Sequence, residues 1–172
     1  NRLDFLTRRL IALRRLGEVR LVQLHSTALT DELFHRFTTF YDIRQLARHG
    51  TAPFTEDPLK GLFHRRLLER DPREVLLFVL MAGSIPVAFD FRLLNKGRAI
   101  TCMTPFDQRW LAASPGKLLT DLVAEALRQR GCEHLDHTPG GDEYKEEAAS
   151  AHETVHRLRL FPSRSQAQVY TL

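Results

Sequence analysis

Three stretches of the chain carry side chains whose types and spacing suit chemistry. The first is Leu135-Asp136-His137-Thr138-Pro139-Gly140-Gly141-Asp142-Glu143-Tyr144-Lys145, which reads as a strand end, a glycine turn and a short helix. A phenol such as Tyr144 in that helix suits donation of a proton to a leaving group, and Asp136 or His137 suits its acceptance. The plainer reading makes Tyr144 the edge of a core and Asp136 a turn cap. The second stretch runs from Thr104-Pro105-Phe106-Asp107 to Ser114-Pro115-Gly116-Lys117-Leu118-Leu119. It leaves a strand, crosses a loop and enters a helix. The first N–H groups of a helix have no intrahelical acceptor, and its dipole places about half a positive charge there. Gly116 removes a side chain from the approach and Lys117 adds a charge, so the segment suits a pyrophosphate. Ser114 as an ordinary helix cap before Pro115 explains the same letters without a ligand.

The third stretch, His152-Glu153-Thr154-Val155-His156, spells a zinc-protease signature. Two histidines four apart on a helix share a face and bind zinc, with the Glu as base. A catalytic zinc needs a third protein ligand, and no Asp, Glu, His or Cys follows His156. The alternation of Arg157-Leu158-Arg159-Leu160-Phe161 also argues for a strand rather than a long helix. No metal is expected, and the two histidines are read as exposed at a strand entry.

The elements that must position these residues follow from periodicity. Leu3, Leu6, Leu10, Leu13 and Leu16 give a helix that Gly17 ends. Val19 to Leu24 reads as a strand. A helix opens at Thr30-Asp31-Glu32, with Leu33, Phe37, Phe40, Tyr41 and Leu46 on its apolar side, and Gly50 to Pro53 breaks it. Another helix is expected over about Asp57 to Arg70, with Leu59, Leu62, Phe63, Leu67 and Leu68 inward. Strands are expected at Glu74 to Met81, Ile85 to Leu94 and Arg98 to Thr104. Ala82-Gly83-Ser84 and Asn95-Lys96-Gly97 between them are hairpin turns, so these strands are antiparallel neighbours. A helix from Pro115 to Arg130, with Gly131 just past its end, precedes a strand over Cys132 to Asp136. The Gly140-Gly141 turn and the short helix through Tyr144 follow. Thr154 to Phe161 and Gln166 to Thr171 are expected to close the sheet. The order implies an α+β domain with a mixed, mostly antiparallel sheet flanked by helices.

Composition bounds the rest. A length of 172 residues, 43% hydrophobic and 27% charged, is that of one globular domain. The longest apolar run, Val75 to Ala82, is far short of the ~20 residues that span a bilayer. No signal peptide is visible, and a cytoplasmic setting is expected. Cys102 and Cys132 sit in strand-like contexts and are read as buried thiols rather than a disulfide. The net charge of +4 is spread along the chain in pairs such as Arg8-Arg9, Arg14-Arg15 and Arg65-Arg66. Such pairs suit solvated helix faces, so a nucleic-acid partner is not expected. Lys occurs only at 60, 96, 117 and 145, which draws attention to Lys117 at a helix start.

The ordered set Ser114-Pro115-Gly116-Lys117-Leu118-Leu119, Gly131 to Asp136 and Gly141-Asp142-Glu143-Tyr144-Lys145 resembles the GNAT acyltransferases. The closer resemblance is to their CelD-like branch, related to the Fem-type peptidyltransferases. It spans about Glu18 to Leu172. It implies that the strand ending near Thr104 splays from the strand near Asp136, with the acyl-thioester arm of coenzyme A in the gap. The pyrophosphate would then sit at Ser114, Gly116, Lys117 and Leu118, with Thr104 beside the arm. Tyr144 falls where many GNAT enzymes carry the tyrosine that protonates the departing thiolate. Asp136, His137 and Asp90 remain the candidate bases. The chain departs from the family in its phosphate loop, where only Pro115-Gly116 stands in for the usual glycine-rich pattern. The resemblance implies acetyl-CoA or a longer acyl-CoA as co-substrate and a small-molecule or cell-envelope amine as acceptor. It also implies that residues 1–172 are one acyltransferase domain, the C-terminal half of a longer protein. The alternatives are a non-catalytic half-domain that binds a partner, and aminoacyl transfer from charged tRNA in the Fem manner.

Overall fold

The computed structural model describes residues 9–71, 73–140, 143–156, 158 and 160–162, and for Ser26, Glu143 and Tyr144 the backbone alone. Compact units divide the chain at Thr138/Pro139. In the first, residues 9–14 form a helix, α1, and β1 (Val19–Leu24) follows. Next come α2 (Asp31–His49), one turn of α3 (Pro53–Glu56) and α4 (Pro58–Leu68). Three long strands, β2 (Val75–Ala82), β3 (Ile85–Asn95) and β4 (Arg98–Met103), lead through a 3-10 segment (Gln108–Ala113) to α5 (Pro115–Gln129) and β5 (His134–Asp136).

The strands form one sheet in the order β1-β2-β3-β4-β5. The first three pairings are antiparallel and the last, β4 with β5, is parallel. The two-residue loops account for the antiparallel run. Lys96 and Gly97 both have positive φ (48° and 76°), as a turn matching the twist of its strands requires. At the other hairpin, Gly83 (φ 60°) lies so close to the end of α1 that an added Cβ would stand 2.6 Å from the Leu16 carbonyl oxygen. A side chain does not fit there.

Alternation sorts the sheet into two faces. Leu76, Phe78 and Leu80 of β2 pack with Leu13 of α1 and Leu118, Leu119, Val123 and Leu127 of α5. Leu77 and Val79 of β2 and Phe89 and Phe91 of β3 pack with Phe37 and Phe40 of α2 and Leu68 of α4. β2 is buried along nearly its whole length, as its unbroken apolar run requires.

Several expectations need correction. Leu59, Leu62 and Phe63 do not point inward: they are exposed on α4, whose buried side is carried by Leu68 with Leu67 beside it. Leu46 is exposed on α2 as well. The helix expected from about Asp57 does start there, with Asp57 as its cap before Pro58, but Pro53 opens a separate turn that was not expected. Asp42, buried on α2, accepts from the N–H groups of Phe54 and Thr55, each at 2.8 Å, and so fixes that turn. Cys102 is exposed rather than buried, and both cysteines are free thiols.

In the second unit, residues 139–172, α6 (Glu143–Ala148) is the expected short helix carrying Tyr144. Lys145 Nζ donates to the Pro139 carbonyl at 3.3 Å. Residues 154–156, 158, 160 and 161 are not in a strand, contrary to expectation. Alternating apolar letters make a strand only where a neighbour supplies hydrogen bonds and cover. Val155, Leu158 and Leu160 have neither, being exposed. Leu3, Leu6 and the segment Gln166 to Thr171 lie outside the described residues. No described helix is long and apolar enough to cross a membrane.

Candidate acyl-transfer site

The parallel pair β4–β5 holds only three partners, Arg98↔His134, Ala99↔Leu135 and Ile100↔Asp136. Beyond Ile100, β4 stays with β3 alone. Met103 pairs with Phe91, Phe106 bridges Ala88, the Phe89 N–H donates to the Pro105 carbonyl at 2.8 Å and the Asp107 N–H to Val87 at 2.9 Å. Among the described residues no strand pairs with the β5-facing edge of β4 from Thr101 onward. The chain at the end of β5 turns at Thr138, a β-branched residue at φ 61°. Such a conformation persists only where its surroundings impose it. Asp136 Oδ1 accepts from the Thr138 N–H at 2.7 Å and fixes the turn.

The three candidate bases therefore stand differently. Asp136 is partly spent on this turn, with Arg98 Nε 3.9 Å from its other oxygen. Asp90 is wholly buried on β3 and forked by Arg92, Nε to Oδ1 at 2.6 Å and Nη2 to Oδ2 at 2.9 Å. Burial pushes the Asp90 carboxyl up from its ordinary value, and the charges of Arg92 and His137 pull it back. His137 is half-buried, directly after the last paired residue of β5. Of the three it is the one at the end of the ladder.

The loop between β4 and α5 is tightly held. Arg44 of α2 donates from Nη1 to the Thr104 carbonyl at 2.8 Å and lies 6.0 Å from the Phe106 ring centre. Asp107, almost fully buried, accepts from the Arg109 N–H and side chain. Burial pushes its carboxyl up, but the Arg109 contacts prevail and hold it below the usual range. Ser114 then adopts a left-handed conformation (φ 43°, ψ 57°) and makes no side-chain cap. Its hydroxyl is thus not what starts α5. With Pro115 in the first position and lacking an N–H, Gly116 and Lys117 complete the first turn of α5. The Leu118 N–H goes to the Ser114 carbonyl at 3.3 Å, and its side chain is in the core. Gly116 has a packing reason too, since a Cβ there would lie 3.3 Å from Phe106 Cδ1. Lys117 is exposed.

The metal motif does not assemble. His152 and His156 are exposed and not in a helix, and His152 Nε2 lies 3.6 Å from Glu146 Oε2. Among the described residues no group of three or more His, Cys, Asp or Glu is placed to hold a metal ion. Two features escaped the sequence reading. Arg44 leaves no signal in the sequence. The Asp90-x-Arg92 pair does: opposite charges two apart in an apolar strand share a face and can only pair.

A sheet that is antiparallel until a short parallel last pair, with a helix N-terminus packed against Phe106 in the chain that continues β4, is the arrangement in question. The chain matches the family model described as an acetyltransferase (GNAT) domain over residues 2–146. It belongs to the GNAT acetyltransferase family. The same fold recurs in an aminoglycoside acetyltransferase from an uncultured soil metagenomic sample, with a TM-score of 0.62 at 13% identity over 84% of this chain and 99% of that one. A possible acetyltransferase from Clostridium difficile 630 gives 0.62 at 8% identity, over 84% and 97%. The ribosomal-protein-alanine N-acetyltransferase of Brucella melitensis biovar Abortus 2308 gives 0.57 at 15% identity, over 84% and 100%. No curated protein sequence matches. The GNAT fold thus accounts for the mixed five-stranded sheet flanked by helices, and membership of the family suggests acyl transfer to an amine.

Proposed function

We propose that this GNAT domain, of the CelD-like branch, moves an acyl group from acyl-CoA to an amine by direct attack. The observation that carries the reading is the β4–β5 pairing that stops at Ile100↔Asp136, followed by α5 with Gly116 and Lys117 at its start. The thioester arm lies along the unpaired edge of β4 past Thr104, and the pyrophosphate meets the α5 N-terminus and the Lys117 charge. The amine nitrogen attacks the thioester carbonyl carbon. The C–N bond forms, the C–S bond breaks, His137 takes the proton lost by the amine, and the thiolate takes one from Tyr144, the role the family resemblance suggests. The protein's contribution is position and fixed dipoles. The ordered motifs from Ser114 to Lys145 support the CelD-like branch, in which a preceding half of the protein would complete the acceptor pocket. The acceptor class is a small-molecule or cell-envelope amine.

Calorimetry with acetyl-CoA, longer acyl-CoAs and charged tRNA tests the reading. Binding of an acyl-CoA in preference to tRNA, followed by release of free thiol when an amine acceptor is added, is the expected result. Binding of charged tRNA alone would transfer the site to aminoacyl transfer, and binding of neither would leave a partner-binding half-domain.

A further inference from the structure

One side of α4 (Pro58–Leu68) seats it on the molecule. Lys60, His64, Leu67 and Leu68 share that side of the helix. The Lys60 ammonium stands 5.7 Å and 5.5 Å from the ring centres of Tyr41 and Phe54, His64 lies against Phe54 and Phe91, and Leu67 and Leu68 join the core. The opposite side carries Leu59, Leu62, Phe63 and Arg66, at the i, i+3, i+4, i+7 spacing of one helix face. Phe63 meets the His64 ring edge-on, but Leu59, Leu62 and Phe63 remain 73%, 55% and 61% exposed. A single exposed leucine is ordinary. Three large apolar side chains on one face of an 11-residue helix mark a contact surface.

Charge identifies what the surface fits. Glu56 and Asp57, both exposed, stand where α4 begins, and Arg66 and Arg70, both exposed, stand where it ends. Each acid uses one oxygen locally: Glu56 Oε1 accepts from the Ala52 N–H at 2.8 Å and Asp57 Oδ1 from the Leu59 N–H at 3.0 Å. Arg66 donates from Nη1 to Glu69 Oε2 at 3.1 Å, with its side chain 73% exposed and further guanidinium donors to offer. The stripe is thus acidic at one end, apolar in the middle and basic at the other. An anionic surface would suit Arg66 and Arg70 but be repelled by Glu56 and Asp57, and a cationic one would meet the reverse. A copy of the same stripe, turned end for end, matches both ends.

We propose that α4 is the contact between two copies of this chain, packed antiparallel about a two-fold axis near Leu62. Leu62 then meets its own counterpart, Leu59 meets the partner's Phe63, and Glu56 and Asp57 face the partner's Arg66. Such an isologous contact uses one patch twice and closes at two copies. Three apolar side chains per copy make a small interface, so the dimer is reversible, with a Kd on the order of 10–100 μM. The inference is independent of the acyl-transfer reading.

Sedimentation velocity over about 1–500 μM brackets that Kd. The weight-average mass should rise with concentration from 19.8 kDa toward twice that value. Phe63→Glu should hold the protein at 19.8 kDa throughout, and Leu62→Gln should weaken association by about 10-fold or more, as for polar groups placed in an apolar contact. Both positions are exposed, so the melting curves should stay near that of wild type. Charge reversal tests the orientation. Glu56→Arg and Arg66→Glu should each self-associate about 5-fold or more weaker than wild type, through like charges at both ends of the contact. Mixed in equal amounts they should associate as wild type does, because each then supplies the charge the other lacks. Wild type that stays at 19.8 kDa up to about 500 μM overturns the inference, as does a dimer that Phe63→Glu and Leu62→Gln leave intact. Reversed variants that gain nothing on mixing overturn the antiparallel arrangement. Binding of monomer to vesicles of anionic lipid, lost in Phe63→Glu, would overturn the proposal by assigning the stripe to a membrane surface.

Discussion

Replacing Arg92 by Met leaves the Asp90 carboxylate buried, with no cation beside it in the fork. Both residues have zero relative exposure, so no solvent screens the loss. Breaking a buried pair from one side costs about 3–5 kcal/mol, because a charge is stranded away from water. For a chain of this size each kcal/mol lowers Tm by roughly 2–4 °C, so the expected fall is about 6–20 °C. The double variant Asp90→Leu/Arg92→Met strands nothing and replaces the pair by apolar side chains, and should recover most of that loss. Urea and thermal denaturation of wild type, both single variants and the double variant close the cycle, with an expected coupling near ~3 kcal/mol. A pH series adds an independent check. Removing the guanidinium takes away a contribution that pulls Asp90 down, so its folded value rises further above the unfolded 3.8. A raised folded value means the folded state holds the extra proton. The Arg92→Met variant should therefore gain stability, relative to wild type, as pH falls, and lose it as pH rises through the raised value. If the double variant is as damaged as the singles summed, the side chains are needed for shape and the pairing argument is wrong.

Other outcomes follow from single residues. Lys117→Ala should weaken acetyl-CoA binding about 10-fold by calorimetry, the loss of one charge-assisted contact. Gly116→Ala should instead lower Tm slightly, since its Cβ meets Phe106 at 3.3 Å. Tyr144→Phe should slow turnover on the order of 10²-fold with an unchanged melting curve, if its hydroxyl protonates the thiolate; normal turnover would leave Tyr144 a packing residue. His64 is packed among Phe54, Phe63 and Phe91, and burial lowers its value below the ordinary 6.5. Its neutral form is favoured in the fold, so stability should fall as pH drops through 6.5. His64→Gln should flatten that slope in pH-dependent denaturation, and an unaltered slope would refute the assignment.

Where local chemistry dictates structure, the residues alone sufficed. The Lys96-Gly97 turn, the Gly50 end of α2 and the unbroken apolar run of β2 each leave one conformation open, and the antiparallel β2-β3-β4 order follows from them. The helix containing Gly116, Lys117 and Leu118 was legible for the same reason, because Pro115 and Gly131 bracket it. What failed depends on partners remote in sequence. Leu59, Leu62 and Phe63 repeat at helical spacing like core residues, but α4 is short and seats itself by Leu67 and Leu68. Spacing reports a face; it does not report which face meets the sheet. The strand expected after Thr154 failed similarly, since alternation needs a paired neighbour. The site divides along the same line. Its sequence-local parts, Asp136 capping Thr138 and the α5 N-terminus, were visible as letters. The unpaired edge of β4 beyond Ile100 is made by the three-pair β4–β5 ladder, which no single strand encodes. Within β3, however, Asp90 and Arg92 stood two apart among phenylalanines, where a lone charge is prohibitive and a pair is not. That pairing fixes which guanidinium nitrogen is left over.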